Sequence, residues 1–160
     1  MTAALRAQWI SCASSSSAAE LLEQTRRLCQ VAACDARHAL SAISTTTPDI
    51  IVFEFDDPIP EHLQLLQRVK RLHPSTPMLM ITSTHSEDLA VWAFRTRVWN
   101  YLVKPVPLRE LKSNIDQLAK ILRQRTGTAR QVERPGTMMP LASGAQIQAA
   151  APESVMSFAS

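Results

Sequence analysis

The chain has 160 residues, 46% of them hydrophobic and only 19% charged, with a formal charge of +3. That is enough apolar content for one buried core with an appendage, and too much for a disordered chain. No apolar run reaches the roughly 20 residues of a membrane span, and the stretch from Met1 to Gln8 lacks the apolar centre of a secretion signal, so no membrane contact and a cytoplasmic location are expected.

The basic balance, with a pI near 9.0, is not concentrated on one element. Direct nucleic-acid binding by this domain is therefore not expected. Cys12, Cys29 and Cys34 lack CxxC or Cys/His spacing and read as small buried apolar residues in a reducing compartment.

In chain order, strand and helix signals alternate. Trp9 to Ala13 reads as a first strand. The Ser14 to Ser17 run suits the cap of a helix over Ala18 to Leu28, with Leu21, Leu22, Thr25 and Leu28 on one face. Val31 to Cys34 is a short second strand, and Ala36 to Ile43 a second helix. Pro48-Asp49 opens the apolar run Ile50 to Phe55, which closes on Asp56-Asp57-Pro58.

Pro60 suits a first helical turn, and Leu63, Leu66, Val69 and Leu72 keep helical spacing until Pro74. Met78 to Thr82 is the fourth strand, Ser86 to Arg95 the fourth helix, Tyr101 to Val103 the fifth strand and Leu108 to Arg125 the last helix, with Leu111, Ile115, Leu118 and Leu122 as its stripe. All three glycines, Gly127, Gly136 and Gly144, follow residue 126. Composition thus divides the chain into a domain over 1–126 and a flexible, disordered or linker-like tail over 127–160.

Strict alternation implies right-handed crossovers and a parallel doubly wound sheet, whose sites lie at the carboxyl ends of the strands. Three of those ends carry chemistry. The third strand ends at Glu54, followed closely by Asp56 and Asp57; the fourth ends at Thr82; the fifth runs from Tyr101 to Lys104-Pro105. In this order the three endings resemble the response-regulator receiver domain of two-component signalling, over roughly residues 7 to 125.

The resemblance implies a flavodoxin-like five-stranded sheet of order 2-1-3-4-5. It also implies a phosphoacceptor position at Glu54, a switch hydroxyl at Thr82, a switch aromatic at Tyr101, a site lysine at Lys104 and a cis-type turn at Pro105. Two departures qualify it. The acceptor position holds Glu rather than Asp, and the family's acidic pair after the first strand is replaced by Ser11-Cys12-Ala13-Ser14. A small hard Mg²⁺ needs several oxygen ligands, so its binding is expected to be weak or absent, with no metal site and no cofactor.

Three readings of the site stay open: an inactive ion pair of Glu54 with Lys104, a permanently charged, constitutively active-like mimic of the phosphorylated acceptor, and residual phosphorylation at Asp56 or Asp57. The two aspartates read first as turn residues before Pro58. Thr82 and Tyr101 read equally as frozen structural residues.

With a degenerate site, function falls to a surface. The segment Trp92 to Tyr101 joins Trp92 and Trp99 to Arg95 and Arg97, residue types enriched at binding hot spots. By the resemblance, the fourth helix, fifth strand and fifth helix form the family's usual partner face, for a homodimer or another protein. Arg97-Val98 stands where the family commonly has Gly-Ala. No P-loop, GxGxxG or GxSxG appears, and His38, His62, His73 and His85 lack metal spacing and read as surface residues, so no enzyme activity is expected.

The chain thus reads as an atypical, pseudo-receiver module of a bacterial signalling or transcription regulator. It is expected to act by phosphorylation-independent protein contact, with an output domain, DNA-binding in type, expected beyond residue 160. The alternatives are a genuine phosphoacceptor receiver using Asp56 or Asp57, and a stand-alone adaptor.

Overall fold

The computed structural model describes residues 4–13 and 16–132. Its sheet is laid down by five strands, β1 (Arg6–Ser11), β2 (Gln30–Asp35), β3 (Ile50–Phe55), β4 (Met78–Thr82) and β5 (Asn100–Val103), all parallel and in the order β2-β1-β3-β4-β5. They alternate with α1 (Ser16–Arg26), α2 (Ala39–Thr46), α3 (Pro60–Leu72), α4 (Glu87–Arg95) and α5 (Leu108–Val132). This is the α/β flavodoxin-like fold and strand order expected from the sequence. Among the described residues, no helix is long and apolar enough to cross a membrane.

The central strands β3 and β4 are buried along their whole length, as unbroken apolar runs covered on both faces must be. On one face Ile10, Ile51, Phe53, Phe55, Met78 and Met80 pack with Ala39 and Ile43 of α2, Leu66 and Val69 of α3, and Leu89 and Ala93 of α4. The alternate strand residues Trp9, Val52, Leu79 and Ile81 are equally buried on the other face, with Leu21 of α1 and Leu111, Ile115 and Leu118 of α5. Each such side chain contributes about 1.5–3 kcal/mol of transfer free energy.

Several boundaries differ from the sequence expectation. β1 begins at Arg6 and ends at Ser11, because its pairing with β2 runs from Arg6↔Gln30 to Ser11↔Asp35. Polar Gln8 hides that register in the sequence, yet it is buried and bonded, donating to the Ala32 carbonyl at 3.0 Å and accepting from the Thr46 hydroxyl at 3.2 Å. The second helix starts as a 3-10 turn over Ala36–His38, capped by Asp35, which accepts from the His38 amide at 3.0 Å.

The last helix continues past the composition break at 126, through Gly127 to Val132. By packing, the chain divides into units 1–120 and 121–160. In the second, Thr126 donates to the Leu122 carbonyl at 3.0 Å. The expected tail from residue 133 onward and the Ser14-Ser15 part of the expected cap lie outside the described residues. Among the described residues, two that are not glycine have positive φ, Thr47 at 42° after α2 and Arg97 at 63° between α4 and β5.

Candidate functional site at the strand ends

β3 carries Glu54 one residue short of the strand's end, beside Ser11 of β1 and Ile81 of β4. Its side chain is 0% exposed, a placement a carboxylate tolerates only when its oxygens are compensated. Oε1 accepts from the Trp9 indole N–H at 3.2 Å and from the Ser11 hydroxyl at 3.3 Å. Oε2 lies 3.0 Å from Lys104 Nζ, itself only 9% exposed. The ammonium neutralises Oε2 without an aligned hydrogen bond, and donates to Asp56 Oδ1 at 3.2 Å.

Lys104 is delivered by the end of β5, where its amide donates to the Thr82 carbonyl at 2.8 Å and the Lys104-Pro105 peptide is cis. Sequence reasoning missed Trp9 as a member of this cluster. A tryptophan in a predicted strand reads as core, and no linear pattern says where its N–H points.

A second cluster lies towards solvent. Asp56 accepts from the Ser83 hydroxyl at 3.4 Å, and Asp57 accepts from the Thr84 hydroxyl. Both aspartates therefore reach across to the loop after β4 rather than only closing their own turn. Thr82, fully buried, donates to the Thr84 carbonyl at 3.2 Å and accepts from the Thr84 amide at 3.1 Å.

Tyr101, half-buried, donates to the same Thr84 carbonyl at 3.2 Å and lies 3.3 Å from His85 Nδ1, the two rings tilted at 37° with centroids 5.9 Å apart. Burial pushes the Tyr101 phenol up, partly opposed by a backbone hydrogen bond from Ser86. His85 is thus tied to the site.

His85 is exposed, as expected, whereas His62 departs from the surface expectation, its ring stacked on Phe55 at 5.7 Å and its Nδ1 buried. Cys12 and Cys34 are half-buried rather than buried, and the Cys12 thiol is pushed up to about 12, chiefly by burial and then by Cys34 and Glu54. Such a thiol is a poor nucleophile.

Among the described residues, no three of His, Cys, Asp and Glu converge as metal ligands. On the α4–β5 side, Trp92 and Trp99 are half-buried, Trp92 against the core, while Arg95 and Arg97 are exposed. The apolar group most open to solvent there is Phe94, 82% exposed, with Val91 one turn before it. The sequence signal for Phe94 was its place beside Arg95, opposite the buried Leu89 and Ala93.

Compared with known proteins, the chain matches the family model for the response regulator receiver domain over residues 11–116. It is 32% identical over 78 residues to the DNA-binding transcriptional regulator NtrC of Klebsiella pneumoniae, covering 49% of this chain and 17% of that protein. It is 31% identical over 96 residues to the response regulator protein PilR of Pseudomonas aeruginosa, covering 58% and 22%. The chain therefore spans only about a fifth of these relatives' length.

Among solved structures it is similar to a CheY-like response regulator receiver domain protein from Methanospirillum hungatei (TM-score 0.64, 20% identity, 77% of this chain and 99% of that one). NtrX from Brucella abortus, solved in complex with ADP, aligns with a TM-score of 0.68 at 20% identity, over 84% of this chain and 30% of that one. At these identities the structural likeness speaks for the fold.

Proposed function

This chain belongs to the response regulator receiver domain family, and we propose that within it the domain is a degenerate receiver that signals by protein contact without phosphorylation of residue 54. The observation that carries this reading is the enclosure of the Glu54 carboxylate, 0% exposed between Trp9, Ser11 and Lys104. An in-line phosphoryl transfer needs a free carboxylate oxygen with room opposite the leaving group, and here each oxygen faces a protein cation or donor. The donor set does not fit Mg²⁺ either. Octahedral oxygen coordination would have to come from a carboxylate already neutralised by Lys104, with Ser11-Cys12-Ala13 in place of an acidic pair.

A second reading is favoured by one distance. Asp56 Oδ1 stands 3.2 Å from Lys104 Nζ and its side chain is 33% exposed, the relation to the site lysine that the family resemblance implies for an acceptor. Intact-mass measurement after incubation with acetyl phosphate and Mg²⁺ separates the two. No phosphoryl adduct is expected; an adduct mapped to Asp56 or Asp57 establishes the second reading, and one on Glu54 overturns the first.

The contact is proposed to run through α4, β5 and α5, with Phe94 as anchor and Arg95 and Arg97 beside it, to a second copy or a partner protein. The length of the relatives, one of them a DNA-binding transcriptional regulator by name, supports a fused output domain beyond residue 160; a stand-alone adaptor is the alternative. Light scattering without any phosphoryl donor tests the self-association arm. Phe94→Ser is expected to weaken association by about 2 kcal/mol, roughly thirtyfold, and a wild type that stays monomeric at every concentration removes the homodimer.

A further inference from the structure

Tyr101 has one hydroxyl proton and two acceptors for it, the Thr84 carbonyl at 3.2 Å and His85 Nδ1 at 3.3 Å. We propose that His85 is a proton-operated latch, whose imidazolium form locks the Tyr101 hydroxyl onto the Thr84 carbonyl and whose neutral form releases it.

The logic is that of donor inventory. In imidazolium both ring nitrogens are donors, so Nδ1–H can only donate to the phenol oxygen, and the phenol proton is left for Thr84. Loss of the Nδ1 proton to solvent makes Nδ1 a lone pair, and it then competes for the phenol proton. The tilted arrangement of the two rings, 5.9 Å between centroids, keeps the competitors in reach in both states.

What the latch holds is the loop after β4. The Thr84 carbonyl also accepts from Thr82, and the Thr84 hydroxyl engages Asp57, so the bond from Tyr101 is one tie of this loop to β5, beside the Ser86 backbone hydrogen bond to the same phenol. The charged and titratable groups linked to the His85 loop are Tyr101 of β5, which meets the ring itself, Asp57 bonded to Thr84, Asp56 bonded to Ser83 and to Lys104, and Glu87 and Asp88 at the start of α4. Of these types only an imidazole ordinarily changes charge between about pH 5 and 8. The latch is independent of whether residue 54, 56 or 57 accepts phosphate, so it and the proposed function fail separately.

The test uses the fact that Tyr101 is the only tyrosine in the chain. In the full chain labelled with ring-¹³C tyrosine, the Tyr101 ring resonances are expected to move with pH through one sigmoid that shares its midpoint with the His85 ring, and to stay flat in His85→Gln. Tyr101→Phe is expected to displace the His85 midpoint. A flat Tyr101 signal in the wild type, the same titration in His85→Gln, or an unchanged His85 midpoint in Tyr101→Phe each overturns the latch.

Discussion

The two polar clusters at the strand ends each join a carboxylate, a hydroxyl, an aromatic ring and a basic group and sit side by side, yet one is enclosed and the other is wet. Glu54, Trp9, Ser11 and Lys104 make a closed set in which every group depends on the others for compensation. Asp57, Thr84, Tyr101 and His85 make an open chain in which water can replace any member. The low dielectric around the first raises the cost of breaking it; the solvent around the second makes its bonds individually weak and therefore exchangeable. A fixed element and a movable one thus lie next to each other, with Lys104 and Asp56 as the joint between them at 3.2 Å.

The contrast breaks hardest at Lys104. Lys104→Met leaves a fully buried carboxylate uncompensated and is expected to destabilise the domain by about 3–5 kcal/mol, whereas Lys104→Met with Glu54→Met recovers most of the loss. Urea unfolding of the single and double variants measures both, and equal loss in the two would mean that packing rather than charge holds the cluster.

Trp9→Phe keeps most of the apolar surface and deletes one donor to that carboxylate, which should cost about 1–3 kcal/mol in the same assay. At the open end, Asp57→Asn is expected to change stability by no more than about 0.5 kcal/mol, since an exposed substitution away from the core rarely does more. A loss as large as that of Trp9→Phe would show that the second cluster is as enclosed as the first.

Much of the fold can be read from punctuation in the sequence. Pro48-Asp49 and Asp56-Asp57-Pro58 bracket β3, and Pro60 and Pro74 bracket α3, so those two elements fall where expected, as does β4 between Pro77 and the hydroxyls after Ile81. β1 was misread because Arg6 and Gln8 break its apolar pattern, and only pairing with β2 and β3 reveals them as strand residues.

At the site, Glu54 and Lys104 could be named from the strand endings, but their enclosure could not. It depends on a tryptophan whose N–H crosses from β1 to β3, and direction is not encoded by residue spacing. The reach of Asp56 and Asp57 to the β4 loop was hidden for the same reason, as turn-forming aspartates look alike whether they bond locally or across a cleft.

Arg97 holds a left-handed backbone at φ 63°, a conformation that costs a non-glycine residue roughly 1–2 kcal/mol. A mutation to glycine would relieve that strain, and natural domains are stable by so little that the gain would be felt in the amount of folded protein in a cell. At this position the backbone favours glycine, and the contact face proposed above would lose an exposed guanidinium by that exchange.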